Sequence, residues 1–199
     1  MKKYELTNEV VCENGRDLHR IRALMAFGCV KVGDKGGFVE FEKNLSHSGN
    51  AWVYGNARVC GDAEVYGNAR VYGNARVYDD ARVCGNARVC GDARVCGDAR
   101  VYGNARVCGD AWVCGDAEVH GDAHYATAKG FGSEFRNTTF FRLKDGGIGV
   151  RCGCFQGTLA QFRERVRGTY PEGKKGKEYL MLADLMEYRF GGEENESSS

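Results

Sequence analysis

The 199 residues are almost electrically neutral, with 28 basic and 27 acidic side chains and a formal charge of +1. This balance argues against a uniformly basic nucleic-acid-binding protein, although a local basic stripe can lie within a neutral total. No stretch approaches the ~20 apolar residues that a membrane-spanning helix needs. We therefore expect no membrane segment and do not favour nucleic acid as a general ligand.

The ten cysteines would indicate a disulfide scaffold in a small secreted protein. However, Met1–Lys3 is followed by the mixed run Tyr4–Thr7 rather than by an apolar segment, so we predict no signal peptide. Six of the cysteines occupy a repeat position that tyrosine takes elsewhere. We therefore expect a reduced cytoplasmic protein with free thiols.

A hairpin is predicted near the N-terminus. Asn14-Gly15 follows the apolar pair Val10-Val11, and an Asn-Gly pair in that position is the strongest short hairpin signal. Three apolar residues beyond it fit a strand or a short helix equally well, namely Leu18, Ile21 and Leu24.

In the rest of the N-terminal segment, up to residue 50, apolar residues follow an approximate six-residue period. The apolar residues on this register are Phe27, Val39 and Leu45. Val53 follows Leu45 by eight residues, so Ser46–Asn50 contains a two-residue insertion. We interpret residues 1–50 as a hairpin with degenerate coils that cap the start of a repeat domain.

Residues 51–124 repeat one six-residue phrase, whose purest form is Val71–Arg76. Valine recurs twelve times in register, and alanine follows each valine by four residues. The alternation in Ala-Arg-Val predicts a short strand with one buried face. Gly-Asn or Gly-Asp predicts a turn, because these residues accept left-handed backbone. Such six-residue units predict a parallel β-helix in which three of them form one triangular coil.

An aliphatic residue followed four places later by a small one resembles the hexapeptide repeat of left-handed β-helix proteins. More narrowly, the chain resembles uncharacterised hexapeptide-repeat proteins of bacteriophages and prophages. The segments that carry this resemblance are Leu18–Leu24, Gly33–Glu40, Asn44–His47, Trp52–Tyr54 and Gly153–Leu159. The resemblance implies an all-β, left-handed parallel β-helix, a homotrimer and the cytoplasm of a bacterial host cell. It implies no established activity.

Unrolling the helix at three repeats per coil predicts three flat faces. The first face carries Trp52, Arg70, Arg88, Arg106 and His124. The second face carries Arg58, Arg76, Arg94 and Trp112. The third face carries Glu64, Arg82, Arg100 and Glu118. One corner between the faces stacks Asp62, Asp80, Asp98 and Asp116.

The arginine blocks admit two interpretations. Corner aspartates could act as counter-ions, leaving a self-neutralising surface. Alternatively, arginines would bind a nucleotide or another phosphate, since guanidinium makes bidentate phosphate contacts and tyrosine rings stack on bases. The candidate ligand-binding residues are Arg70, Arg88, Arg106, Arg76, Arg94, Arg82, Arg100, Tyr72 and Tyr102. The aspartate column is a weaker candidate for Ca²⁺ because arginines lie nearby, and we expect neither a metal nor a cofactor.

Many hexapeptide β-helix proteins are acetyl-CoA-type acyltransferases with a histidine base and an extended loop over the site. No loop interrupts residues 53–124, so we assign no catalytic residue; if the protein is an enzyme, the candidates are His47 and His120. His120 and His124 would occupy a corner and a face, which makes them a poor zinc pair. Cys152-Gly153-Cys154 is too short for a redox or zinc motif.

Stacked cysteines are also predicted. Coils of three repeats place Cys90 over Cys108 and Cys96 over Cys114, within the Cα separation that a disulfide needs. In a reducing compartment we expect these four residues to be thiols.

Residues 125–190 predict a small α+β domain. Segments 138–143 and 148–152 flank Lys144–Gly147 with a hairpin signature. Thr158 and Gln161 form a capping box that opens a helix, and Lys177–Phe190 is a second amphipathic helix. Residues 191–199 are acidic and serine-rich, which predicts disorder. The domain would at least cap the open end of the β-helix, and could also bind a partner.

Three functions follow from these patterns. The leading hypothesis is a non-catalytic β-helix scaffold that binds a host protein or a phosphate-bearing ligand. The rival is a hexapeptide-repeat acyltransferase, and the missing insertion loop argues against it. The third is a purely structural or assembly protein.

Overall fold

The computed structural model describes residues 2–132 and 134–191, which form two compact units divided after Asp122. The first unit is a β-solenoid of about five parallel turns, and the second is a small region of sheet and helices. The predicted disordered tail lies outside the described residues, apart from Gly191, which ends a helix. Neither described helix combines the length and apolar composition that a membrane crossing requires.

The first unit opens with the predicted hairpin. Strands β1 (Tyr4–Glu13) and β2 (Arg16–Ala23) are antiparallel. Asn14 and Gly15 join them with φ angles of 51° and 78°, as a tight two-residue hairpin turn requires. The apolar pattern of the segment after the turn fitted a strand and a short helix equally well, and the structure shows a strand.

Strand β3 (Lys35–Val39) connects the hairpin to the solenoid, since it is antiparallel to β2 and parallel to the strand at 58–59. Val39 pairs with Val59, and Leu45 forms a bridge with Val65. The sequence separation within each of these two pairs is two positions larger than the separation between paired residues of later strands. This difference confirms the two-residue insertion.

The placement of Phe27 on the repeat register was wrong. This residue forms an antiparallel bridge with Val30 instead of pairing with a strand of the solenoid. A six-residue spacing counted through a glycine-rich segment is therefore not enough to define a coil.

Twelve two-residue strands build the solenoid. They are β4 (Trp52–Val53), β5 (Arg58–Val59), β6 (Glu64–Val65), β7 (Arg70–Val71), β8 (Arg76–Val77), β9 (Arg82–Val83), β10 (Arg88–Val89), β11 (Arg94–Val95), β12 (Arg100–Val101), β13 (Arg106–Val107), β14 (Trp112–Val113) and β15 (Glu118–Val119).

These strands fall into three sheets. The first face is β4-β7-β10-β13, and the third is β6-β9-β12-β15. The second face is β5-β8-β11-β14, which continues through β3 into the hairpin. Each strand pairs with the strand three repeats away, as Arg88 does with Arg106. The predicted columns are therefore present, except that His124 lies in a 3₁₀ turn (Asp122–His124) instead of continuing the first face.

The interior of the solenoid is a stack of small side chains. Every repeat valine and alanine from Ala51 to Val119 has no exposed surface. Burying a valine contributes about 1.5 kcal/mol or more, so the stacked turns form one continuous core. At one corner an amide ladder runs along the stack, with Asn50 donating to Asn68, Asn68 to Asn86 and Asn86 to Asn104 at 3.1–3.2 Å.

The second unit contains an antiparallel sheet and two helices. Its strands are β16 (Tyr125–Ala128), β17 (Thr138–Arg142), β18 (Ile148–Cys152) and β19 (Phe155–Thr158), and its helices are α1 (Leu159–Thr169) and α2 (Lys174–Gly191). The capping box is confirmed: Thr158 and Gln161 each accept a hydrogen bond from the other's backbone N–H. Helix α2 begins three residues before the predicted start, and β19 was not predicted. Phe140, Phe162 and Met186 lie in the buried core of this unit.

Candidate functional site

The hairpin distinguishes the second face of the solenoid from the other two. Arg58, Arg76 and Arg94 on the second face are half-buried, whereas the arginines of the first and third faces are exposed. The turn of the hairpin, Asn14-Gly15, joins the two strands that extend the second-face sheet at one edge. The predicted columns are alike in sequence but not in environment.

Two glutamates fix three arginines at this place. The Glu13 carboxylate accepts hydrogen bonds from Arg58 at 2.9 Å and pairs with Arg76 at 3.0 Å, with its side chain only 13% exposed. Arg16 donates to Glu40 at 2.9 Å, and the same carboxylate accepts the Gly61 N–H at 2.7 Å. These guanidinium groups therefore have defined orientations.

The fixed side chains surround a cavity of about 400 Å³. We call it the arginine groove; its lining comprises Glu13, Asn14, Arg16, Arg58, Cys60, Arg76, Tyr78, Asp79 and Arg94. The lining itself contains four arginines and the carboxylates of Glu13 and Asp79, and Glu40 pairs with Arg16 just outside it, which leaves a formal excess of one positive charge. The groove can thus attract an anion.

Two arginines of the groove have donors that no described residue satisfies. Arg58 Nε is buried and has no hydrogen-bond partner among the described residues. The Arg94 guanidinium lies 5.0 Å from the Trp112 ring centroid, a cation–π contact, and no carboxylate of the described chain pairs with it. A buried polar group without a partner calls for an explanation, and a bound anion would supply one.

Cys60 and Tyr78 contribute no charge to the groove at neutral pH. Burial raises the pKa of the Cys60 thiol to about 11. Burial, with a side-chain hydrogen bond to Cys96, also raises the pKa of the Tyr78 phenol. The charge of the groove therefore comes from its arginines and carboxylates.

The nine predicted ligand-binding residues are spread over all three faces. Two of them, Arg76 and Arg94, lie in the groove. Arg70, Arg88 and Tyr72 line a more open depression on the first face, of about 430 Å³. The other four lie elsewhere on the first and third faces or the adjoining corner, namely Arg82, Arg100, Tyr102 and Arg106.

Sequence reasoning missed the residues that complete the groove. Glu13 and Arg16 lie in a non-repeating hairpin, and no local pattern says where that hairpin docks. Asp79, by contrast, had a signal: it stands where every other repeat from 55 to 121 has glycine.

We expected the corner aspartates to be the counter-ions of the arginines. This prediction was wrong for the arginines whose ion pairs are observed. Arg58 and Arg76 pair with Glu13, and Arg100 pairs with Glu118 at 3.6 Å. The corner side chains bond along the stack instead, as Asn74 does to Asp92 at 3.1 Å. Among the described residues, no three His, Cys, Asp or Glu side chains cluster closely enough to hold a metal ion.

The two candidate catalytic histidines lie outside the groove. His47 stacks on Tyr4 with centroids 4.4 Å apart, and its Nδ1 accepts the Lys3 backbone N–H at 3.2 Å. His120 stacks on Tyr102 at 5.5 Å. Both rings thus pack against neighbouring aromatic side chains.

The stacked cysteines differ between two corners. Cys90 and Cys108 form a disulfide with a Cα separation of 4.7 Å, so the expectation of thiols was wrong for this pair. Cys96 and Cys114 are buried and are not joined by a disulfide, and Cys96 Sγ accepts the Trp112 indole N–H at 3.2 Å. Hydrogen bonds from Cys114, and then from Tyr78 and Trp112, lower the pKa of Cys96 to about 6 against the opposing effect of burial.

Comparison with known proteins identifies one similarity. The model of the YdcK beta solenoid repeat matches residues 63–79, 69–85, 75–91, 81–97, 93–109 and 99–115. These overlapping segments lie within the solenoid and include Arg76, Tyr78, Asp79 and Arg94 of the groove, but neither the hairpin nor the second unit. No curated protein matches the chain.

Proposed function

We propose that this protein is a non-catalytic binding scaffold that holds a phosphate-bearing ligand in the arginine groove. The supporting observation is the convergence of four arginines, from the hairpin and the second face, on one cavity. The scaffold is a left-handed β-helix with triangular coils of three repeats each. The pairing of strands three repeats apart and the three sheets support the coil, and the resemblance to hexapeptide-repeat proteins of phages and prophages supports the left hand.

Phosphate fits the groove because of how guanidinium groups bind. Each guanidinium has five N–H donors in a planar fork that matches phosphate oxygens. Glu13 engages Nη1 of Arg58 and Nε of Arg76, so other donors of both side chains stay open to a ligand. The unsatisfied Nε of Arg58 and the unpaired Arg94 add to this set.

The biological setting follows from the same resemblance. We infer a phage- or prophage-derived protein that assembles as a homotrimer in the cytoplasm of a bacterial host. A host protein is the alternative partner for the same surface. Native mass spectrometry of protein purified from cells would report the oligomeric state together with any co-purified ligand, and a monomer would contradict the trimer.

Calorimetric titration with pyrophosphate tests the proposed function. The wild-type protein should bind one pyrophosphate in each groove. Arg94→Gln should weaken binding about tenfold, because a hydrogen bond to a charged group contributes about 1.5 kcal/mol. Arg88→Gln, the matched change on the first face, should leave the affinity unchanged.

Two results would contradict the proposal. Wild-type protein that gives no binding signal would favour a purely structural protein. Equal weakening by Arg94→Gln and Arg88→Gln would show that pyrophosphate binds to arginines in general and not to the groove.

A further inference from the structure

One residue of the groove breaks the rule of the repeat. Gly73 and its equivalents occupy the first turn position in every repeat from 55 to 121, except that Asp79 stands in the repeat Val77–Arg82. The backbone does not change to accommodate it. Asp79 has φ of 59°, within 10° of the glycines above and below it, Gly61 at 69° and Gly97 at 66°.

Aspartate tolerates this left-handed conformation better than most residues do, but glycine adopts it with less strain. Among the described residues, the non-glycine residues with positive φ are Asn14, Asp79 and Phe135. Two of the three line the arginine groove. The hairpin turn accounts for Asn14, but the repeat itself does not account for Asp79, since glycine serves in the equivalent turns. Residues held in unfavourable backbone conformations cluster at functional sites.

A direct ion pair does not account for Asp79 either. Glu13 already pairs with Arg58 and Arg76, and Glu40 with Arg16. No ion pair in the part of the chain that the structure describes includes Asp79. Its carboxylate instead accepts the Gly97 N–H at 3.3 Å, which orients it within the lining of the groove.

A carboxylate in a phosphate site repels the phosphate and would weaken binding of a bare anion. It becomes favourable when the ligand carries a donor beside the phosphate, because an ionised carboxylate accepts about four hydrogen bonds and only accepts. One of these is taken by Gly97. A cavity of about 400 Å³ is also larger than a single phosphate requires and lies within the range of small-molecule sites.

We propose that Asp79 makes the groove selective for phosphate esters of polyols or sugars. The arginines bind the phosphate, and a hydroxyl of the ligand donates to the Asp79 carboxylate. This inference rests on the proposed function and names the ligand class of the same site. Asp79 is then a specificity-determining residue, and the strained turn is the consequence of placing an acceptor there.

The test compares two phosphate monoesters that differ in their hydroxyl groups, ribose 5-phosphate and methyl phosphate. Each is titrated calorimetrically into wild type, Asp79→Gly and Asp80→Asn. The wild type should prefer ribose 5-phosphate about tenfold, the ratio expected for one hydrogen bond to a charged group. Asp79→Gly should remove this preference while binding methyl phosphate at least as tightly as the wild type does.

The controls distinguish a failure of this inference from a failure of the proposed function. Asp79→Gly restores the repeat consensus, so it should fold with a thermal midpoint no lower than that of the wild type. Asp80→Asn removes the neighbouring corner carboxylate, which does not line the groove, and should keep the preference. Equal affinities of the wild type for both esters, or a preference that survives in Asp79→Gly, would overturn the inference alone. Failure of both esters to bind the wild type would overturn the proposed function and the inference with it.

Discussion

The first and second faces both carry arginines at the same interval, but of these two faces only the second lines the arginine groove. Arg70 and Arg88 project from an exposed sheet, whereas Arg58 and Arg76 are held by Glu13 of the hairpin. The repeat supplies a column of regularly spaced arginines on each face. The non-repeating hairpin extends the second-face sheet at one edge, and part of the arginine array there becomes a candidate binding site.

The corners that follow these faces differ in the same way. After the first face, Cys90 and Cys108 are joined as a disulfide. After the second face, Cys96 and Cys114 remain thiols beside Trp112. Both pairs are cysteine over cysteine at the same repeat position, so the two corners differ in their neighbours, and Trp112 donates its indole N–H to Cys96 Sγ at the second corner. Four experiments test this comparison of the two faces.

The largest expected effect concerns the disulfide beside the first face. Replacing Cys90 and Cys108 together by serine opens a loop with a sequence separation of 18. The chain-entropy model gives about 3 kcal/mol for a loop of that size, so the free energy of unfolding should fall by this amount in urea without reductant. Wild-type protein treated with dithiothreitol should lose the same amount. Reduced and oxidised wild type of equal stability would contradict the prediction.

The next effect concerns the docking of the hairpin. A Cβ at Gly36 would lie 2.5 Å from Ile21 Cγ1 and 2.6 Å from the Val53 carbonyl oxygen. Gly36→Ala should therefore cost about 2 kcal/mol of unfolding free energy by overpacking and should also weaken pyrophosphate binding by displacing β3 and the hairpin.

Gly109→Ala is the matched control for that change. A Cβ at Gly109 meets nothing within 4 Å, but its φ is 69°, so the cost should be about 1 kcal/mol from backbone strain alone. Pyrophosphate affinity should be unchanged in this variant. Equal loss of binding in both variants would show that the groove depends on overall stability and not on the hairpin.

The periodic parts of the fold could be predicted from the sequence because their determinants are local. Asn14-Gly15 specifies a tight turn by its backbone preferences, and the eight-residue step from Leu45 to Val53 specifies an insertion by counting alone. Valine and alanine at a fixed interval define which strands pair. In each case a few neighbouring residues contain the information.

The site could be predicted only in part because its determinants are distant in sequence. Glu13 and Arg58 have a sequence separation of 45, and Arg76 lies three repeats beyond Arg58. Nothing in the hairpin specifies either contact. The disulfide was missed for another reason: the expectation of a reducing compartment outweighed a stacking geometry that allowed it. The sequence shows Asp79 as an exception to the repeat, but the function that we propose for it depends on the groove beside it.

A smaller effect is expected from the ion pairs that distinguish the faces. Glu13→Gln removes the charge that holds Arg58 and Arg76, and should cost about 1 kcal/mol of unfolding free energy because the arginines are partly exposed. It should also raise pyrophosphate affinity several-fold, since the groove gains a positive charge. Glu118→Gln, which affects only the longer pair with Arg100 on the third face, should change neither quantity measurably. Unchanged affinity in Glu13→Gln would contradict the assignment of the groove as the anion site.

The smallest expected effect is spectroscopic and needs no change in stability. The pKa of Cys96 is lowered to about 6 by hydrogen bonds from Cys114, Tyr78 and Trp112. The sulfur that accepts the Trp112 indole N–H therefore gains a negative charge as the pH rises from 5 to 7, and tryptophan emission should change with a midpoint near pH 6. Burial keeps the Cys60 thiol neutral over this range, with a pKa of about 11. Cys96→Ser should abolish the step; a step that persists there would assign it to a histidine and not to the corner beside the second face.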